Sequence, residues 1–356
     1  MQSNWKNIVK LASVYAGVML GAGFASGQEL IQYFVRFGTF GILGLIVSGL
    51  VLALMGWAVM DICVRAELKN YEDFLKLVLG KKLSVFINAV VLIFIMVLFG
   101  AMLSATGAMG REAFDLPFSF GVVLMALLCF FTFQFGINAI IKINTILTPV
   151  FIVGSIFFIL YTLVTHYTPV SAPSSSPLAG LSHSWIWAAV VYASYNVITS
   201  ISMLANMRPL VDNRKTAKYA GLLGGAIITG LGILFALPLL LNFNFLSRFE
   251  IPLLALAHNH GNIIEYLYIT LLFSAIYTTA AANGYSVVEW LRRKTTPIFP
   301  NTLYSKITCS LVITFLGTLL AHIGFSSLVS NIFPLFGYIG FFEIAVILIF
   351  FAFKDK

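Results

Sequence analysis

The feature of this sequence that most constrains its fold is the recurrence of apolar stretches along nearly the whole chain. A helix that crosses the hydrocarbon core of a bilayer needs about 20 mostly apolar residues. Because backbone polar groups in lipid must be satisfied within their own segment, each stretch is expected to be a helix. The predicted spans are residues 7–36, 39–64, 83–110, 119–136, 143–166, 184–208, 218–242, 262–290, 303–323 and 326–352.

The low charge of the chain supports this interpretation. Of its 356 residues, 60% are hydrophobic and only 10% are charged, whereas a soluble domain carries about 25% charged residues. The net charge of +8 comes from short basic clusters between the apolar stretches, so it does not indicate nucleic-acid binding. The sequence therefore predicts an all-α membrane protein of about ten transmembrane helices, with the lipid bilayer and no nucleic acid among its partners.

The distribution of Lys and Arg predicts the orientation of the spans. If the ten spans alternate in direction, 18 of the 21 basic residues fall on one side of the membrane, and only Arg36, Arg111 and Arg248 fall on the other. Basic residues concentrate in cytoplasmic segments of membrane proteins. The pattern predicts a multi-pass protein of the cell (cytoplasmic) membrane with both termini in the cytoplasm.

The chain divides into two five-span halves. Residues 168–178 are rich in Pro and Ser and indicate a linker. We therefore predict a first five-helix repeat at residues 1–167, an outside linker at 168–183 and a second repeat at 184–356. Because five is an odd number, the second half enters the membrane from the opposite side, as in the inverted repeats of many secondary transporters.

Two loops are predicted to carry structure of their own. Residues 69–80 have apolar positions at helical spacing and indicate a short amphipathic helix on the cytoplasmic side. Residues 243–261 contain the run FEIPLLALAH and indicate a partly buried lid on the outside.

Four glycines crowd the middle of the first span: Gly17, Gly21, Gly23 and Gly27. Glycine is costly inside a helix. One interpretation is a broken helix that exposes backbone N–H and C=O groups to a ligand around Gly21, Ala22 and Gly23. The alternative is close helix packing through small residues, since the glycines are also four apart. Their spacing supports both interpretations equally.

The sixth span, which opens the second half, is unusually polar at its centre, in the run VYASYNVITS. One interpretation is a second broken helix that contributes Tyr192, Tyr195 and Asn196 to a binding site. The alternative is a seam of hydrogen bonds between helices, worth about 0.6 kcal/mol per bond. We favour the broken helix because this run occupies the same place in its half as the glycines do in theirs.

The eighth span carries two adjacent hydroxyls, Thr278 and Thr279. Hydroxyl and carbonyl oxygens suit a hard cation, but a threonine hydroxyl also bonds readily to the preceding turn of its own helix. Two acids also lie within predicted spans. For Glu29 we favour a role in proton binding or in lining a path, because it extends the glycine motif, and for Glu343 we favour a structural role.

The segment GAGFASGQE resembles the broken first helix of the amino acid–polyamine–organocation superfamily, whose members share the LeuT fold. The chain as a whole is more similar to the YkvI-type bacterial membrane proteins. The resemblance implies two inverted five-helix repeats with helices 1 and 6 broken at mid-membrane. It implies a substrate site at Gly21, Ala22, Gly23, Phe24, Tyr192, Tyr195 and Asn196. It implies a sodium site formed by carbonyls of Gly17, Leu20 and Ala275 and by the hydroxyls of Thr278 and Thr279. The sixth span departs from many relatives because it lacks glycine at the expected break.

The expected function is ion-coupled secondary transport, by alternating access, of a small polar solute such as an amino acid or an amine. Sodium is favoured as the coupling ion, with a proton carried by Glu29 as the rival, and no other cofactor is expected. The alternatives are an uncoupled channel or facilitator and a membrane sensor. The sequence contains no P-loop, nucleophile elbow or HExxH motif, so an enzyme is not expected.

Overall fold

The first membrane span is broken into short pieces. The computed structural model describes residues 5–19, 21–68, 71–165, 184–295 and 303–353. Helix α1 (Trp5–Met19) is followed by α2 (Ala22–Ser26), α3 (Gln28–Tyr33) and a 3₁₀ turn (Val35–Phe37). Gly21 is extended, and Gly27 has a φ of 83°, in the left-handed region that favours glycine. The predicted break in the first span is confirmed.

Nine further helical segments of the described chain are long and apolar enough to cross a membrane, which with the broken span makes the predicted ten. The elements after the first span are α4 (Thr39–Arg65), α5 (Tyr71–Phe114), α6 (Phe118–Phe135), α7 (Ile137–Thr165), α8 (Ser184–Asn206), α9 (Arg214–Leu241), α10 (Phe243–Leu246), α11 (Pro252–His258), α12 (Asn262–Thr295), α13 (Leu303–Ala321), α14 (Phe325–Ser327), a π-helical turn (Leu328–Ile332) and α15 (Phe333–Phe353). The predicted span boundaries agree with these within a few residues in most cases.

The sixth span differs from the prediction because α8 is one continuous helix. The segment contains no glycine or proline to interrupt it. Two of its polar side chains at mid-membrane bond within the helix: the Ser194 hydroxyl donates to the Val190 carbonyl (2.7 Å) and the Asn196 amide donates to the Tyr192 carbonyl (2.9 Å). Polar residues at mid-membrane therefore did not require an unwound backbone, and the predicted break in helix 6 is wrong for this structure.

The spans form two packed groups. The first span packs with α4, α8 and α9, and α5 packs with α6, α12 and α13. Small residues allow close approach within the first group: a side chain at Gly225 would overlap Ala53, and one at Gly221 would overlap the backbone of Trp57. Helix α7 packs mainly on α12, and α15 packs mainly on α8. The broken first span also touches α12 through α2, so it lies where the two groups meet.

The outward faces of the spans are apolar. Helix α6 exposes Val123, Leu124, Leu127, Leu128 and Phe131, while Met125 and Cys129 between them are buried. This 3.6-residue alternation places one stripe of α6 against the protein and leaves the other apolar and open. An exposed apolar stripe of this length is what a lipid-facing helix requires.

Both structured loops are present. Helix α5 begins with a short helix at Tyr71 that buries Phe74 and Leu75 and is separated from the long span by Gly80, at φ 75° and ψ 169°. Residues 69 and 70 lie outside the described chain. Helix α11 buries every residue from Pro252 to Ala257, as expected of a partly buried lid. The predicted linker at 168–178 also lies outside the described residues, so the division into 1–167, 168–183 and 184–356 stays a prediction.

Candidate functional site

The break in the first span is the natural starting point for a binding site. Its backbone turns at Gly21, which is extended and whose carbonyl accepts the first hydrogen bond of α2 from the Ala25 amide (2.9 Å). The last carbonyls of α1 and the first amides of α2 cannot bond within their own short helices, as at any helix end. The break therefore offers backbone polar groups at the place where the two helix groups meet.

Glu29, in the first turn of α3, lies directly over Gly23. It is only 7% exposed, and a side chain on Gly23 would overlap its carboxyl group. Gly23 was predicted to offer its backbone to a substrate. The structure shows a different use of the missing side chain, because Gly23 makes the space in which the Glu29 carboxyl sits.

Two buried tyrosines of α8 face this acid. Tyr192 and Tyr195 are 1% and 2% exposed, and neither hydroxyl has a hydrogen-bond partner among the described residues. The Glu29 carboxyl lies near the Tyr195 hydroxyl, but the pair falls short of ordinary hydrogen-bond geometry. Buried hydroxyls are nearly always bonded, so two adjacent unbonded ones call for an explanation.

The tyrosines belong to an aromatic cluster that encloses this acid. The Tyr33 ring of α3 lies 5.7 Å from that of Tyr192 and 5.5 Å from that of Tyr195. Phe94 of α5 and Phe333 of α15 flank Tyr195 at 6.1 and 5.5 Å. Since the tyrosines are almost fully buried, a ligand reaches their hydroxyls only after one of these elements moves. The structure thus shows a conformation in which the α8 tyrosines are closed to solvent.

Not all the predicted substrate residues converge on this cluster. Phe24 turns toward α9, where its ring lies 5.2 Å from that of Phe235. Asn196 is near the tyrosines, but its amide is used in the bond to the Tyr192 carbonyl. The Ala22 backbone belongs to the first turn of α2. The residues that the structure does bring together are Glu29, Tyr192, Tyr195 and, unpredicted, Tyr33.

Spans one and eight approach each other beside the predicted sodium ligands of the eighth span. The Thr279 methyl group lies 3.8 Å from the position that a Cβ on Gly21 would occupy. The buried Thr278 hydroxyl donates to the Ala275 carbonyl (3.0 Å). This bond is the one that a structural threonine makes, yet the hydroxyl oxygen keeps lone pairs that could bind an ion. Gly17 faces open space, and Leu20 lies outside the described residues.

Three side chains that the sequence did not single out hold the broken span in place. The Tyr268 hydroxyl of α12 donates to the Ala25 carbonyl (2.5 Å), and the Gln28 amide donates to the Ser326 hydroxyl (2.8 Å). The Tyr33 hydroxyl donates to the Val329 carbonyl in the π-helical turn (2.9 Å). In each case the sequence shows a polar group within a predicted span, which does not by itself identify the partner.

An ion cluster closes the other end of the first helix group. Asp61 of α4 is fully buried and pairs with Arg65 (2.7 Å) and with Arg214 of α9 (2.8 Å). The Asn7 amide of α1 donates to both carboxylate oxygens of Asp212, at 3.1 Å each. On the predicted cytoplasmic side, these contacts join α4 to the start of α9 and join the start of α1 to the segment just before α9.

Comparison with known sequences gives two relatives over nearly the whole length. The chain is 25% identical over 349 residues to the uncharacterized membrane protein YkvI of Bacillus subtilis (strain 168), covering 95% of this chain and 94% of the relative. It is 24% identical over 347 residues to the uncharacterized protein YyaD of the same organism, covering 97% of each. No family model matches the chain. The resemblance predicted from the sequence is confirmed.

Comparison with solved structures identifies the architecture. A Na⁺-coupled sialic acid symporter superposes with a TM-score of 0.62 at 14% identity, covering 93% of this chain and 76% of the symporter. A nucleobase-cation-symport-1 family transporter, in a closed conformation with bromovinylhydantoin bound, gives 0.61 at 14% identity, with 92% and 74% covered. The chain has the LeuT fold. A manganese transporter of Eremococcus coleocola also matches, at 0.56 and 14% identity over 98% of this chain and 80% of that one. The LeuT fold here retains a broken first span but has an intact sixth.

Proposed function

We propose that this protein is a secondary transporter that moves a small polar solute, an amino acid or an amine, by alternating access and is driven by an ion gradient. The observation that carries the proposal is the group formed by the buried Glu29 carboxyl and the two unbonded hydroxyls of Tyr192 and Tyr195 beside the broken first span. The LeuT fold, shared with several ion-coupled symporters, supports it.

The chemistry of the group favours a solute with an amino group. An ammonium group donates hydrogen bonds, and the Glu29 carboxylate and the tyrosine hydroxyls accept them. The Tyr33 ring, next to both tyrosines, presents a π-face that attracts a cation. In this proposal the solute supplies the partners that the Tyr192 and Tyr195 hydroxyls lack in the closed protein.

For the coupling ion we favour sodium, bound between spans one and eight. Its ligands would be the carbonyls of Gly17, Leu20 and Ala275 and the hydroxyls of Thr278 and Thr279. Neutral oxygens suit a monovalent cation better than a divalent one, which calls for carboxylates. The approach of Gly21 to the Thr279 methyl group brings spans one and eight close together here, as a site shared by both spans requires. The rival is a proton carried by Glu29, which its deep burial supports.

The proposal is tested first by a thermal-shift screen of the purified protein. Amino acids, amines and nucleobases are added singly, each with sodium chloride and with potassium chloride. We expect a sodium-dependent rise in melting temperature for one class of amine-bearing solutes. A complete absence of any shift with sodium, with or without solute, would contradict the sodium site.

Uptake into proteoliposomes then separates a transporter from a channel or facilitator. The solute found in the screen is supplied outside, with an imposed sodium gradient, with an imposed pH gradient in sodium-free buffer, or with neither. A coupled transporter accumulates solute above the outside concentration in one of the first two conditions only. Uptake that stops at equal concentrations in all three would identify an uncoupled facilitator.

A further inference from the structure

Glu343, in the middle of α15, is a buried acid that the proposed transport site does not use. It is 2% exposed, and its Oε2 atom has no hydrogen-bond partner within the described part of the chain. The sequence favoured a structural role for Glu343, as a neutral or hydrogen-bonded acid that locks neighbouring helices together. The unbonded oxygen does not fit that role, because a structural acid in an apolar interior is expected to use both oxygens.

Helix α15 packs tightly on α8 close to Glu343. One turn earlier, α15 approaches α8 so closely that a side chain on Gly340 would overlap the Ser194 carbonyl. Tyr195 of α8 lies on the other side of that contact, where it packs on Phe333. Glu343 therefore sits in a dry interface between the last span and the helix that carries the site tyrosines.

The titratable groups around Glu343 do not supply a counter-charge. From α5, Tyr71 is the ionisable residue that acts on it. From α4, Arg65 is directed to Asp61 and, at 3.5 Å, to the Phe351 carbonyl two turns further along α15. Helix α8 and the π-helical turn contain no Lys, Arg, His, Asp or Glu, and their ionisable side chains are the phenols of Tyr192 and Tyr195. An ionised carboxylate in these surroundings would be buried without a cation.

A short helix attached through a glycine lies near Glu343 on the predicted cytoplasmic side, since Tyr71 at its start is close enough to interact electrostatically with the Glu343 carboxyl. The short helix that begins at Tyr71 is separated from the α5 span by Gly80, whose φ is 75° and around which an added Cβ would meet no atom within 4 Å. The Tyr71 amide donates to the Asn206 side chain, at the end of α8 (3.2 Å). A rotation at Gly80 that breaks this bond would move Tyr71 away from the end of α8.

We propose that Glu343 is a proton-binding site that exchanges its proton with the cytoplasm when the Tyr71 helix lifts away. In the closed structure the carboxyl is the neutral acid. On opening, water takes the proton from the acid, leaving a carboxylate and a hydronium ion, and reclosing requires the reverse transfer. This inference is independent of which solute is carried and of the sodium site.

Infrared spectroscopy of the protein in lipid vesicles tests the site without any transport assay. A protonated carboxylic acid has a carbonyl stretch separate from that of carboxylates and amides. We expect such a band to disappear in Glu343→Gln and to remain in Glu289→Gln, since Glu289 is paired with Arg292 and Arg293. Glu29→Gln identifies any contribution from the other buried acid.

The exchange of the proton is tested on the same band. It should shift in D₂O and disappear as the pH is raised within the range where the protein stays folded, and Asn206→Ala should speed the deuterium shift several-fold. If Glu343→Gln fails to fold, Glu343→Asp serves instead, because it keeps the acid and shifts its band. The absence of an acid band from residue 343, or a band that neither titrates nor exchanges, would overturn the proposal.

Discussion

The first and sixth spans, which open the two halves, satisfy their mid-membrane polar groups in opposite ways. The first span breaks at Gly21 and Gly27, and its freed groups are bonded by side chains from other elements, such as Tyr268 of α12. The sixth span, α8, carries more polar side chains but stays helical, because Ser194 and Asn196 bond to carbonyls of their own helix. The position of the first span thus depends on side chains of its neighbours, whereas the hydroxyl of Ser194 and the amide of Asn196 in α8 need no partner from another helix.

The difference teaches that a break requires glycine more than it requires polarity. Gly27 takes up a left-handed conformation that other residues adopt only with strain. Without such a residue, hydroxyl and amide groups at mid-membrane find acceptors one turn back. Under the proposed function, the first span would supply a movable backbone and an acid to the site, and α8 would supply tyrosines from a fixed helix.

The largest effect is expected from Gly23→Leu, which tests whether the break serves the site or only helix packing. A leucine at this position would displace the Glu29 carboxyl, so we expect transport to be abolished while the protein remains folded in the membrane. The measurement is solute uptake, with size-exclusion chromatography as the check on folding. Gly230→Leu is the matched control, since an added side chain there meets nothing within 4 Å. Uptake at the wild-type rate in Gly23→Leu would favour the packing interpretation.

The next effect concerns the junction of the broken span with α12. Thr278→Ala should raise the sodium concentration needed for half-maximal thermal stabilisation about tenfold, equivalent to about 1.4 kcal/mol of binding free energy. Glu29→Gln should leave this concentration nearly unchanged. Thr318→Ala is the control, because Thr318 makes the same kind of backbone bond on an exposed face of α13. The reverse pattern, with Glu29→Gln more harmful than Thr278→Ala, would support proton coupling.

A smaller effect tests the claim that other helices hold the first span. Tyr268→Phe removes the hydroxyl that bonds the Ala25 carbonyl and leaves that buried carbonyl without this donor. We expect a loss of about 1 kcal/mol in the free energy of unfolding, measured by chemical denaturation in detergent micelles. Tyr266→Phe, two residues earlier on the exposed face of α12, should change it little. Equal stability of the two variants would show that this bond does not fix the span.

The smallest effect is expected in α8. The Thr199 hydroxyl bonds only to the Asn196 carbonyl of its own helix (3.0 Å). Thr199→Ala should therefore lower the free energy of unfolding by no more than about 0.6 kcal/mol, the average for a polar side-chain bond in a membrane protein. The measurement is the same chemical denaturation assay. A loss as large as that in Tyr268→Phe would remove the contrast between the two spans.

The sequence predicted the spans well because their boundaries depend on local hydrophobicity, which the bilayer imposes directly. The break at Gly21 was also predictable, because glycine weakens a helix at its own position in the chain. The position of the Glu29 carboxyl over Gly23 was not predictable, because it depends on how the chain turns at Gly27. The bonds made by Tyr33 and Tyr268 were not predictable either, since they join positions far apart in the chain. The continuity of α8 was mispredicted because the sequence does not show whether a polar side chain bonds within its own helix or to another element.

Hydrogen–deuterium exchange in lipid nanodiscs tests the central contrast most directly. We expect the amides of residues 21–33 to exchange much faster than those of residues 191–200. Adding sodium and solute should slow exchange in residues 21–33 and leave exchange in residues 191–200 unchanged. Equal protection of the two segments, or slowing by ligand in α8 alone, would contradict the claim that a movable first span closes against a fixed sixth span.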